Sequence, residues 1–185
     1  MVNQLEVYQY LLDTLLGFNM SGIINATNLE VANIKDSTGT NTAMTVDSSG
    51  RILTPQRPAF ATVGTNYTQS SNAYSIIIPN SETFDTGNNY DASTGVFTTP
   101  VNGLYLFGFW GLSYPHTGHA NTVAYHKNGS IVGQGIQQTG DSAQHNLSSG
   151  SLLLQLNATD TIDLRYYQNT SSGSSAKAYN TQWNM

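Results

Sequence analysis

Three histidines and a few aromatic and amide side chains are the residues of this chain whose types invite chemistry. His116 and His119 stand together in SYPHTGHAN, and His145 follows Gln144 in DSAQHN. Neutral imidazoles are common metal ligands, so three such loops repeated around an axis would make a metal cage. Loop histidines read first as polar surface, however, and no metal or other cofactor is expected. Tyr114 and Tyr67 offer amphipathic rings that stack on a sugar or a peptide. Asp160 and Asp163, in ATDTIDLRYY, suit either calcium or pairing with Arg165. Without a dense oxygen cluster, the expected roles are a turn cap for Asp160 and a strand-end carboxylate for Asp163. No nucleophile elbow, P-loop, dinucleotide fingerprint or zinc-protease helix motif is present, and an enzyme is not expected.

These side chains must be held by strands. From residue 58 onward, runs of strand-forming residues follow one another at short intervals, as in an all-β sandwich. The predicted strands are 58–64, 73–78, 94–99, 103–113, 121–127, 130–137, 146–156, 161–168 and 176–184. Pro100 to Gly103, Asn128-Gly129 and Asn157 to Asp160 are tight turns, whereas 114–120, 138–145 and 169–175 are long and polar. Strand parity then sends the three long loops to the end far from where the chain enters the sandwich. Loop-rich ends of rigid scaffolds are where binding is usually found, so Tyr114, His116, His119, Gln144 and His145 are the expected apex contacts.

The centre of this pattern is Asp85 to Phe109, DTGNNYDASTGVFTTPVNGLYLFGF. Tyr105, Phe107 and Phe109 recur with the strand period of two, and Leu104, Leu106, Gly108 and Trp110 fall on the opposite side. A strand apolar on both faces sits within a sandwich or between subunits. The order Asp85, Tyr90, Phe97, Gly103, Tyr105, Phe107, Phe109 resembles the signature of the globular head of complement component 1q, in the tumour necrosis factor superfamily. The family's leading aromatic falls on Pro79, with Ile78 or Phe84 as the nearest substitutes. The resemblance continues through HKNGSIV and SGSLLLQLNATDTIDL, covers about residues 58 to 185, and implies a trimeric jelly roll without implying a ligand. Related heads sometimes bind calcium, and animal members are normally secreted.

Composition narrows the partners. Only 9% of the 185 residues are charged, against about 25% in an ordinary soluble domain. Solubility rests instead on Ser, Thr, Asn and Gln, a surface suited to crowded symmetric assemblies. A net charge of −5 with six scattered Lys and Arg excludes nucleic acid, since no basic patch exists to displace counterions from phosphate. There is no cysteine, hence no disulfide framework. The N-terminal MVNQLEVYQYLLDTLLGF lacks the features of a secretion signal and is too short and too interrupted by Glu6 and Asp13 to enter a bilayer. Synthesis in a host cytoplasm is expected, and the Asn-X-Ser/Thr triplets are read as chance rather than glycan sites.

Residues 1–17 are expected to form an anchor helix, with Leu5, Tyr8, Leu12 and Leu15 on one seam and Gly17 at its end. A helix this short is marginal alone and should dock on sister helices or another virion protein. Residues 18–57 alternate short apolar pieces with Ser, Thr, Gly and Asp clusters, as expected of an extended stalk in which three chains wind together. Through AMTVDSSGRILTPQRPAF this part resembles bacteriophage tail and capsid fibre proteins. The whole chain thus reads as a homotrimer with an anchor helix (1–17), a stalk (18–57) and a jelly-roll head (58–185). The expected role is a structural and adhesive virion protein, a phage tail or neck fibre whose head contacts a host-surface glycan or protein. A capsid decoration or head-fibre protein is the first alternative, and a cellular lectin-like adhesin the second.

Overall fold

The computed structural model describes residues 32–64, 67–69, 72–79, 81–114, 120–134, 138–139, 146–169 and 176–184. The side chains of 67–69, 112–114, 138–139, 146–148 and 176–184 are not part of that description. The expected anchor helix, with Leu5, Tyr8, Leu12 and Leu15, lies outside the described residues, which contain no helix.

Within the stretch expected as stalk, three short strands form an antiparallel sheet: β1 (Asn33–Lys35), β2 (Thr42–Val46) and β3 (Ile52–Leu53). Both turns use the same device. Asp36 accepts hydrogen bonds from the backbone N–H of Thr40 and the side chain of Asn41, and Asp47 from the backbone N–H groups of Ser49 and Arg51. Gly39 and Gly50 then take φ of 72° and 78°, where a side chain would be strained. Ile34, Val46, Ile52 and Leu53 remain exposed.

The rest is a two-sheet sandwich. Its strands are β4 (Ala59–Val63), β5 (Tyr67–Gln69), β6 (Ser75–Ile76), β7 (Ser81–Thr86), β8 (Tyr90–Asp91), β9 (Val96–Thr98), β10 (Gly103–Tyr114) and β11 (Ala120–Lys127). They continue with β12 (Ser130–Gln134), β13 (Gln138–Thr139), β14 (Asn146–Leu156), β15 (Thr161–Gln168) and β16 (Ala176–Asn184). One sheet runs β14-β10-β16-β4-β7, with β5 on β16; the other runs β12-β11-β15-β9-β8, with β13 on β11 and β6 on β15. All pairs are antiparallel, and the fold is an all-β jelly roll.

The core between the sheets is aromatic. Phe60 stacks on Tyr90 at 4.7 Å and on Phe97 at 5.3 Å, and Phe97 meets Phe107 edge-on at 5.7 Å. Leu156, Ile162, Leu164 and Tyr166 complete it from β14 and β15. Stacked and edge-on rings add to the burial of their large apolar areas.

The sequence pattern predicts no strand between 78 and 94, whereas the structure has β7 from Ser81 to Thr86 and a turn at Gly87-Asn88. β7 ends its sheet, so it needs one ladder and no apolar run. An irregularity in its register opposite Ala61 and Thr62 also breaks the alternation that would have revealed it.

Candidate functional site

The tight turns lie at the end of the sandwich opposite to the strand termini that flank the three long loops. At one end Ala158 N–H donates to Asn102 Oδ1 at 2.7 Å and Thr159 N–H to the Thr99 carbonyl at 2.7 Å. Asp160 ties the remaining turn to these: it accepts from Asn128 Nδ2 at 2.8 Å and from Asn157 N–H at 2.8 Å, and pairs with Lys127 Nζ at 2.8 Å. Asn128 and Gly129 take φ of 50° and 82°, the twisted hairpin turn for which Asn-Gly is suited. The hydrogen bonds from Lys127 and Asn128 hold the Asp160 carboxyl down at about 2. Asp160 is therefore the turn-capping residue that its spacing suggested.

At the other end lie the termini of β10, β11, β14, β15 and β16. Ser113 is opposite both Asn146 and Ala178, Tyr114 opposite Lys177, and Asn121 opposite Gln168. Tyr114 thus closes β10 with its backbone, while its side chain and all of His116, His119, Gln144 and His145 lie outside the described residues. Tyr67 has its backbone opposite Ala178 on β16, at the same end. Beneath this end, Gln168 and Asn121 are fully buried amides, and among the described residues neither side-chain amide atom of Gln168 has a hydrogen-bond partner.

A second feature is an apolar sheet face. On β10, Tyr105, Phe107 and Phe109 point into the core, and the intervening Leu104, Leu106 and Trp110 point out, with exposures of 64%, 59% and 41%. Leu153 of β14, opposite Leu106, is 57% exposed, and Phe84 on β7 is uncovered at the other edge. Leu104, Leu106 and Leu153 are neighbours on two paired strands, with Trp110 on the same face beyond Gly108, and exposed apolar side chains grouped in this way on a monomer's surface mark an interaction site. Beside it Arg57, Pro58, Val101, Leu104 and Leu106 line a groove of about 510 Å³ where the chain enters the sandwich. Leu104 and Leu106 were legible from the double-sided pattern of β10. Leu153 was hidden in the run LLL, where Leu152 and Leu154 turn towards the core.

The described residues hold no group of three His, Asp or Glu able to bind a metal. Asp163 is paired with Arg165, whose Nε and Nη2 donate to its two oxygens at 2.5 and 3.0 Å. That pairing raises the guanidinium above its ordinary range. No helix among the described residues is long and apolar enough to cross a membrane.

Comparison with known families finds a match to the C1q domain over residues 59–183. Among solved structures, the globular domain of zebrafish complement 1qA superposes with a TM-score of 0.53 at 17% identity, covering 70% of this chain and 96% of that one. Murine APRIL at pH 5.0 gives 0.49 at 12% identity over 69% of this chain and 96% of its own. Eiger TNF from S. frugiperda gives 0.45 at 15% identity over 69% and 92%. At these identities the complement 1qA likeness shows the fold alone.

Proposed function

The chain belongs to the C1q domain family, and from that premise we propose that it is a homotrimeric, structural and adhesive virion protein with no enzymatic activity. The observation that carries the assembly is the outward face of β10 and β14. Leu104, Leu106 and Trp110 of β10 and Leu153 of β14 stand on paired strands whose other face is turned to the core, and covering the exposed part of each contributes on the order of 1 kcal/mol. A closed ring of three makes a heterologous contact, in which this patch meets a different patch of the next copy. The uncovered Phe84, at the opposite edge of the same sheet, suits that second role.

The bacteriophage reading rests on the resemblance of AMTVDSSGRILTPQRPAF to tail and capsid fibre proteins and on the sparsely charged composition. β1, β2 and β3 pair within one chain, and ten strand residues with Ile34, Val46, Ile52 and Leu53 exposed are too few for a core of their own, so in the proposed stalk the small sheets of the three chains pack on one another. The N-terminal helix is the proposed attachment to other virion proteins. The compactness of this small sheet favours the second reading, a capsid decoration or head-fibre protein with the same architecture.

Adhesion is assigned to the loop-bearing end, through Tyr114, His116, His119, Gln144 and His145, and to a host-surface glycan or protein. Neutral hydrogen-bonding groups around an aromatic bind in a manner that survives salt. Replacing Tyr114 and His145 with Ala should lower binding of the purified trimer to host cells at low and high salt alike. Stability should change by less than about 0.5 kcal/mol. A wild-type trimer that binds no host cell would leave the decoration role in place of the adhesive one.

A further inference from the structure

On the sheet away from the apolar patch, β11 is buried on both of its faces. Val123 and Tyr125 belong to the core, while Thr122, Ala124 and His126 are buried on the outward side, opposite Tyr167, Arg165 and Asp163 of β15. Tyr74 contributes to that cover. Its ring lies 5.0 Å from that of Tyr167 and meets His126 edge-on at 5.1 Å, and its hydroxyl accepts a hydrogen bond from Gln134 Nε2 of β12 at 3.3 Å. Tyr74 immediately precedes β6, which is tied to β15 by the Ser75–Tyr166 and Ile76–Arg165 pairs and by Ile77 N–H donating to the Leu164 carbonyl at 2.8 Å. Residues 72–76 therefore form a strap fastened along β15, with Tyr74 reaching over β11 to β12.

Under this strap His126 is 3% exposed, and among the described residues its Nδ1 has no hydrogen-bond partner. The charged groups facing it are Asp163 and Arg165, and both oxygens of Asp163 are already taken by Arg165. Tyr74, Tyr167 and Gln134 are neutral, and the neighbouring Lys127 is turned to Asp160. A proton on the imidazole would place a cation in a dry site, beside a guanidinium and without a free carboxylate.

We propose that His126 and Tyr74 form an acid-sensitive latch, in which protonation of His126 releases the Tyr74 strap from the outer face of the sheet while the sandwich stays folded. The strap is a short ladder at the sheet margin, the kind of unit that opens far below the cost of global unfolding. Burial, and after it the Arg165 charge, holds the imidazole below its ordinary 6.5 while the strap is closed. The open form, with a hydrated imidazole, thus binds more protons. Closure is fully stable above 6.5 and loses stability as the pH falls below it. The latch faces away from the proposed subunit contact and stands whether or not that contact forms.

The test is an NMR titration of the His126 ring together with hydrogen exchange at the Ile77 amide, corrected for the intrinsic pH dependence. In the wild type His126 should titrate below 6.5, and Tyr74→Ala should move it up towards that value. Ile77 exchange should accelerate by up to about tenfold per pH unit below the free imidazole range and should be flat in His126→Gln. The same acceleration in His126→Gln would assign the response to another histidine and overturn the latch. If His126→Gln does not fold, the titration decides alone: a value unmoved by Tyr74→Ala contradicts the proposal.

Discussion

Leu106 and Phe107 are adjacent in β10 and face opposite environments: Phe107 is 0% exposed between the sheets, and Leu106 is 59% exposed on the outer face. The alternation separates two tasks on one strand. The inward residues hold the monomer together, and the outward ones are available to a neighbour.

Phe107→Ala should cost about 3–5 kcal/mol, the range for a buried aromatic cut to methyl. Its ring touches Phe97, Tyr105 and Tyr125, so the loss extends to both sheets. Tyr105→Ala should behave similarly and also leaves the Val101 carbonyl without its 2.8 Å hydrogen bond. Chemical denaturation reads both, and full stability in either variant would show that the core is wrongly assigned.

Gly95→Ala should destabilise by more than an ordinary surface change, on the order of 1–3 kcal/mol. The glycine sits at φ 75°, and a Cβ there would come within 2.7 Å of the Ile77 carbonyl. Denaturant melts of this variant beside Gly129→Ala separate the two causes, since Gly129 shares the positive φ but has open space around it.

Acid should loosen the tight-turn end. Asp160 is ionised in the fold down to about 2, against 3.8 for a free aspartate. Its contribution is thus complete above 3.8 and is lost as the pH falls towards 2. Thermal melts across that window should drop in the wild type and drop less in Asp160→Asn, which keeps the shape but not the charge. Identical acid profiles would assign the sensitivity elsewhere, Asp36 being the natural second candidate because its own hydrogen bonds hold it at about 2.

What the sequence disclosed follows the range of the interactions. The period of two in β10 is local, so Tyr105, Phe107 and Phe109 against Leu104, Leu106 and Trp110 could be read directly, as could Asn128-Gly129 as a hairpin turn. β7 could not, because Ser81–Thr86 is a polar edge strand with a register irregularity. The spacing marked Asp160 as a turn cap, but its partners Lys127 and Asn128 come from another hairpin. Tyr74 over His126 joins residues far apart in the chain, and no local pattern announces such a meeting. Of the expected apex contacts, only the backbone of Tyr114 falls within the described residues.

The mass of the particle in solution tests the central claim most directly. Mass photometry or sedimentation of the wild-type protein should give three copies of the 20.0 kDa chain, and Leu104→Glu with Leu106→Glu should give a folded monomer with an unchanged β spectrum. A stable wild-type monomer near 20.0 kDa would contradict both the trimer and the stalk built on it.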